Sequence, residues 1–331
     1  MDERITHVSN HILAYPYKLW GYGEGIALEA LIAASDFLCE PAYLEFVGGL
    51  MDQWIAARKE IPFVDHVAPG KALLMVYQRT HRPEFLARAS ALGDFFRGLP
   101  TTAHGARLHR PDHPDFAQYV YVDCMDFDAP FLALLGQVTG NRAYTDLAVN
   151  CLLGHARELW DADRQLFYHL YDAGHDRVNG AFWGRGNAWA SLGMIATLET
   201  LAPDHPRYAE IAQLYQQHMS ALIALQTSEG EWHTVLDRAD TYREGSLPAM
   251  FFCALMRGIR LGLIAHTHLD AARRAWRAFG RRLDANGVLQ GVSFATPPGD
   301  AAHYATIATG ANCPWGQGPA LDALLIGEPR E

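Results

Sequence analysis

A chain of 331 residues, half of them hydrophobic, has ample material for a large core, and its net charge of −10 speaks against a nucleic-acid partner. No uncharged apolar run is long enough to span a bilayer, and the opening Met1-Asp-Glu-Arg lacks the apolar centre of a signal peptide. Cys39, Cys124, Cys151, Cys253 and Cys313 show no CxxC spacing. They indicate neither a disulfide framework nor a zinc site, and a reducing, cytoplasmic setting is expected.

The predicted elements alternate in chain order. Residues 3–14 form an amphipathic helix, and residues 25–38 a helix apolar on nearly all sides. A second amphipathic helix opens at Pro41-Ala-Tyr-Leu-Glu-Phe, followed by an apolar one over 70–80. The pattern returns at Pro83-Glu-Phe-Leu-Ala with 131–138, at Asn141-Arg-Ala-Tyr with 188–201, and at Pro206-Arg-Tyr-Ala-Glu with 247–264. It ends with His268-Leu-Asp-Ala-Ala and 318–326. Helices that are apolar all round are buried, and amphipathic ones face water. Six inner helices alternating with outer ones make an (α/α)6 barrel, an all-α toroid expected to form one domain over residues 1–331; an open helical solenoid is the competing arrangement. The last inner helix has no outer partner after it. The N-terminal helix can supply one, which favours closure. Short β-like pieces are expected at 166–169, 231–236 and 288–294.

The stretches that lead into the inner helices share a composition. They include Trp20-Gly-Tyr-Gly-Glu-Gly, Asp65-His-Val-Ala-Pro-Gly, Asp123-Cys-Met-Asp-Phe-Asp, Trp183-Gly-Arg-Gly-Asn-Ala-Trp189, Tyr242-Arg-Glu-Gly-Ser and Trp315-Gly-Gln-Gly. In a barrel these ends converge on one mouth. Tryptophan and tyrosine beside polar groups are the usual lining of a sugar-sized pocket. Asp123 follows Tyr121 and Val122, where apolar neighbours disfavour the charged carboxylate and like-charged Asp126 and Asp128 push the same way. A carboxyl that keeps its proton near neutral pH can act as a general acid. Asp126 and Asp128 also read as ordinary helix-start residues. His266-Thr-His268 has no acid or cysteine cluster nearby, so it is not read as a metal pair, and no metal or cofactor is expected.

Taken together, Trp20-Gly-Tyr-Gly, Asp65-His-Val-Ala-Pro-Gly, Val122-Asp123 with Pro130-Phe131, Phe167-Tyr-His169, Phe182-Trp-Gly-Arg-Gly-Asn-Ala-Trp189, Tyr242-Arg-Glu-Gly-Ser and Trp315-Gly-Gln-Gly make the chain similar to a known family. It resembles the unsaturated glycuronyl hydrolases of the rhamnogalacturonyl type, glycoside hydrolase families 105 and 88. The resemblance runs essentially the whole length and implies an (α/α)6 barrel. The implied substrates are acidic oligosaccharides left by polysaccharide lyases, with a 4,5-unsaturated uronic acid at the non-reducing end. It implies that Asp123 is the general acid/base and Asp65 a second aspartate near the sugar. By the same likeness His169 and Arg185 would hold the uronate carboxylate, with Trp183, Trp189, Trp20, His66 and Trp315 lining the site. The segment Cys124-Met-Asp-Phe-Asp128 departs from the family pattern of glycine, apolar and tyrosine residues, so the added acids bear on pocket polarity. Two other functions fit the same toroid. One is a sugar 2-epimerase driven by paired histidines, for which His66, His169, His233 and His303 are candidates. The other is a catalytically silent carbohydrate-binding protein. Galacturonyl or glucuronyl preference, the neighbouring sugar and the oligomeric state stay open at this stage.

Overall fold

The computed structural model describes residues 2–18, 22–57, 69–311 and 313–329. Inner helices are α2 (Tyr22–Leu38), α4 (Gly70–Thr80), α7 (Ala129–Thr139), α9 (Gly184–Thr200), α11 (Leu247–Arg260) and α14 (Pro314–Ile326). Outer helices are α1 (Asp2–Leu13), α3 (Pro41–Ala57), α5 (Pro83–Arg97), α8 (Arg142–Leu159), α10 (Tyr208–Ala224) and α12 (Leu269–Arg282). The single-turn helix α6 (Cys124–Phe127) precedes α7, and α13 (Ala301–Tyr304) precedes α14.

The burial explains the alternation. In α9, every residue from Gly184 to Leu198 is buried, whereas outer α5 buries only the spaced set Phe85, Ala89, Leu92, Gly93 and Phe96. Neighbouring inner helices touch around the ring, as in α2 with α4, α4 with α7, α7 with α9, α9 with α11 and α11 with α14. The ring closes where α14 packs on α2, and α1 lies over α14 as its outer partner. Ile5, Val8 and Ile12 of α1 are buried there. One contiguous cluster of buried side chains runs from Ile5 to Leu324.

Short strands decorate the mouth. β1 (Tyr119–Tyr121), β4 (Leu170–Asp172) and β5 (Arg177–Val178) form an antiparallel sheet in the order β1-β4-β5, with Tyr121 opposite Leu170. β2 (Trp160–Asp161) pairs with β3 (Leu166–Phe167), and β6 (Gln290–Ser293) with β7 (Thr309–Ala311). The piece expected at 231–236 is not a strand. It makes only isolated bridges, Trp183 with Val235 and His233 with Arg243. Residues 166–169 split into β3 and a turn, because His169 gives its backbone N–H to Ala181 outside the ladder.

Two glycines of α9 allow close contacts that set the site. A Cβ on Gly193 would fall 2.0 Å from the Met125 carbonyl oxygen, so α6 can lie on α9 only because this position is glycine. A Cβ on Gly186 would meet Val122 Cγ1 at 2.6 Å, directly beside Asp123.

Candidate active site

The mouth formed by the inner-helix N-termini holds a cavity of about 330 Å³. Gly23 and Glu24 enter it from α2, Asp123 from the turn before α6, Trp183 and Arg185 from the start of α9, and Trp315 from α14. Tyr15, Lys18, His109, Arg110, Tyr121, His169, Ala295 and Thr296 complete the wall. The N-terminal ends of α2, α9 and α14 all face this space. Their partial positive charges favour an anionic guest in a molecule of negative net charge.

Asp123 and His169 come together through the β1–β4 pairing. One residue past Tyr121 and Leu170, the Val122 N–H donates to the His169 carbonyl at 3.0 Å. Both side chains are buried, and His169 Nε2 lies 3.4 Å from Asp123 Oδ2. The imidazole sits against Trp183, ring centroids 4.4 Å apart, with Tyr121 edge-on at 5.7 Å. Its Nδ1 is 2.5 Å from the Tyr304 hydroxyl. Asn187 holds this hairpin in place. Its Oδ1 accepts from Phe167 N at 2.8 Å, and its Nδ2 donates to the Phe167 and Trp183 carbonyls.

Arg185 lines the cavity, but its guanidinium is committed to the protein. Nη1 donates to Glu244 Oε1 at 3.2 Å, to the Ser293 carbonyl at 2.8 Å and to the Ser293 hydroxyl. Nη2 donates to the Phe294 carbonyl at 2.9 Å and to Thr296 Oγ1 at 3.2 Å. Arg185 and Glu244 are both almost fully buried. Glu244 Oε2 accepts from the Ser246 and Leu247 N–H groups and so caps α11. The Tyr242-Arg-Glu-Gly-Ser motif is thus a brace joining α9, α11 and the loop after β6. The guanidinium also lies over the Trp183 and Trp315 rings, at 4.8 and 5.8 Å. Both Nη groups are thus engaged by the protein. Lys18 and Arg110 also line the cavity.

Trp183 and Trp315 line the pocket as expected; Trp315 Nε1 donates to the Ser293 carbonyl at 3.0 Å. Trp189 does not. It is fully buried in α9, about 9 Å further along the axis from Trp183, and belongs to the core. Trp20, Asp65 and His66 lie outside the described residues. Asp126 and Asp128 do not share the pocket with Asp123. Asp126 faces a separate small cavity of about 40 Å³ on the far side of α6, with Glu29, Lys71, Arg257 and Asp322. There burial pushes the Asp126 carboxyl up to about 7, and Asp322 up to about 6. Asp128 is fully buried against Cys151, whose Sγ lies 3.6 Å from Oδ2. Both are helix-start residues, Asp126 in the first turn of α6 and Asp128 at the N-cap position of α7, where its side chain makes no capping bond. The sequence reading also passed over Lys18, His109, Arg110 and Tyr304.

One set of possible metal ligands is brought together among the described residues. Cys124, Asp128 and His155 place one ligand atom each within 4.8 Å of one another, all buried. The positive charge of Arg107 lies close enough to hold the neighbouring His155 down, after burial itself, to about 4. A second cation there would meet that charge.

A buried carboxyl beside an indole-walled cavity, at the mouth of a helical toroid, suits a carbohydrate-active enzyme. The comparisons agree. The profile of Glycosyl Hydrolase Family 88 matches residues 1–326, and the chain belongs to that family. It is 25% identical over 267 residues to the unsaturated rhamnogalacturonyl hydrolase YesR of Bacillus subtilis, covering 78% of each chain. The solved family 105 glycoside hydrolase of C. acetobutylicum superposes with a TM-score of 0.87 at 21% identity, covering 98% of this chain and 99% of that one. The unsaturated glucuronyl hydrolase of Bacillus sp. GL1 has the same fold, with a TM-score of 0.75 at 16% identity over 98% and 96% of the two chains. The chain is therefore a glycoside hydrolase with an (α/α)6 fold. No helix among the described residues is long and apolar enough to cross a membrane.

Proposed function

We propose that this enzyme removes a 4,5-unsaturated uronic acid from the non-reducing end of lyase-generated oligosaccharides, with Asp123 as general acid and then base. The observation that carries the reading is the Asp123 carboxyl set against His169 on the floor of the cavity, under the Trp183 and Trp315 walls. Asp123 gives its proton to C4 of the enol ether, leaving positive charge shared by C5 and the ring oxygen. Water adds at C5 and returns a proton to the Asp123 carboxylate. The hemiketal opens to a ketone at C5, and the hemiacetal left at C1 expels the next sugar as an alcohol. Because the double bond and not the glycosidic bond takes the proton, the paired carboxylates of retaining and inverting glycosidases are not needed.

Lys18 and Arg110 hold the uronate carboxylate in this reading, and Asp65 remains the second aspartate near the sugar. The substrates named for the Bacillus subtilis relative and for the unsaturated 3S-rhamnoglycuronyl hydrolase of an Alteromonas strain, 26% identical over 161 residues, support a uronyl group as the common element. Family membership weighs against the epimerase. Of its four candidate histidines, His169 lines the cavity, His233 and His303 do not, and His66 lies outside the described residues. We read residues 1–331 as one catalytic domain. The five free cysteines support a cytoplasmic setting.

Ultraviolet absorbance tests the reading, since the conjugated enol acid absorbs and its hydrated product does not. Unsaturated disaccharides from rhamnogalacturonan and from glucuronate polymers are each mixed with enzyme. The absorbance of at least one decays, and Asp123→Asn abolishes the decay. Tight binding without decay on every disaccharide makes the protein a carbohydrate-binding one instead.

A further inference from the structure

We infer that Tyr304, held by Asn179 and the backbone of Gly299, fixes the His169 ring with its proton on Nε2, the nitrogen 3.4 Å from Asp123 Oδ2. The argument is an account of protons. Asn179 Oδ1 accepts from the Leu170 N–H at 3.2 Å, and its Nδ2 donates to the Gly299 carbonyl at 2.7 Å. That settles the orientation of the amide, since a carbonyl accepts and a backbone N–H donates. The same Nδ2 donates to the Tyr304 hydroxyl at 3.0 Å, and the Gly299 N–H donates to it at 3.3 Å. A phenol oxygen has two acceptor positions and one proton. Both acceptor positions are filled, so the proton goes to the remaining neighbour, His169 Nδ1 at 2.5 Å. Nδ1 is then an acceptor, and the ring carries its proton on Nε2, which lies 3.4 Å from Asp123 Oδ2.

This matters because the two forms of the histidine act differently on the acid. An imidazolium beside Asp123 would favour the carboxylate and weaken it as a proton donor. A neutral ring adds no positive charge beside the carboxyl, and its Nε2–H stays within reach of the carboxylate formed after the transfer to C4, the nitrogen lying 3.4 Å from Oδ2. The protonated ring would also turn an Nδ1–H toward a hydroxyl whose acceptor positions are taken. Tyr304 is thus a positioning residue. It acts through His169, from 135 positions away in the chain. The catalytic consequence rests on the proposed role of Asp123; the tautomer does not.

The test uses full-length enzyme labelled with nitrogen-15 at histidine, and two-bond nitrogen–proton spectra. His169→Gln assigns the ring by difference. The wild type should show His169 with an unprotonated Nδ1 and a protonated Nε2 across neutral pH. In Tyr304→Phe that ring should become a mixture of tautomers and gain the imidazolium form on the acid side. The acid limb of the kcat profile should move with it, and kcat should fall about tenfold with KM within about twofold, the scale of one hydrogen bond. Asn179→Ala, which frees one acceptor position on Tyr304, should give an intermediate spectrum and serves if the phenylalanine variant does not fold. A wild-type ring with its proton on Nδ1 overturns the inference, as does a Tyr304→Phe ring unchanged from wild type. Full activity in Asp123→Asn beside the expected wild-type spectrum would remove the proposed function and leave the tautomer standing.

Discussion

Arg185 shows how a residue type can be right for a site while its role there is set by partners the sequence does not display. Its guanidinium is almost fully buried, paired with Glu244 and bound to the loop at 293–296. Removing one partner of a buried pair leaves the other charge uncompensated, so Arg185→Ala should lose roughly 3–5 kcal/mol in denaturant unfolding. Lys18→Ala should leave stability unchanged and raise KM for the uronide. The reverse pattern, a stable Arg185→Ala with only KM raised, would return the carboxylate to Arg185. Asp123, Trp183 and Trp315 could be picked out as cavity residues because each stands in a stretch whose composition recurs before an inner helix, and His169 through the Phe167-Tyr-His169 motif. Lys18 and Arg110 stand in no recurring stretch, and nothing local marks Tyr304. Apolar neighbours in sequence do not reveal which way a side chain points, and Asp126, three positions after Asp123, faces a different cavity.

The element that decides this is α6, a single turn set between two cavities. Asp123, just before it, enters the front cavity, while Asp126 within it faces the rear one. Burial raises the Asp126 carboxyl from 3.8 to about 7, only partly offset by Lys71. A carboxyl with a raised folded pKa keeps a proton that the unfolded chain has already lost, so its contribution falls as pH rises from about 4 to about 7 and is level above that. Asp322, raised to about 6, adds a fall of the same sign. Asp126→Asn should therefore raise the melting temperature relative to wild type near about pH 8 and leave it unchanged near about pH 4. A variant gain that is the same at both pH values would place the origin elsewhere. The inner helices themselves were readable to within four residues at either end from their uniform apolarity. Among the strands at the mouth, β3 and β6 fall in the pieces expected at 166–169 and 288–294; the others are two- and three-residue ladders with no periodicity to detect.

At the scale of the whole molecule, the toroid depends on closure. α14 packs on α2, and α1 covers α14 with Ile5, Val8 and Ile12. The repeat implied this closure by leaving the last inner helix without a following partner, one of the few long-range contacts a sequence can declare. Deleting residues 2–13 strips three buried aliphatic side chains at about 2 kcal/mol each and exposes α14, against a typical total stability of about 5–15 kcal/mol. The truncated chain should unfold at markedly lower denaturant concentration and bind apolar dye. Unchanged unfolding would mean that the ring closes without α1.

The central claim is that Asp123 delivers a proton to C4 of an enol ether. The most direct measurement is proton NMR of the released uronic product after turnover in deuterium oxide, taken early. The account predicts one deuterium at C4, a ketone at C5, and no product from Asp123→Asn. Release of the neighbouring sugar with the C4=C5 double bond intact and no deuterium at C4 would contradict it, since the glycosidic bond would then have been cleaved directly.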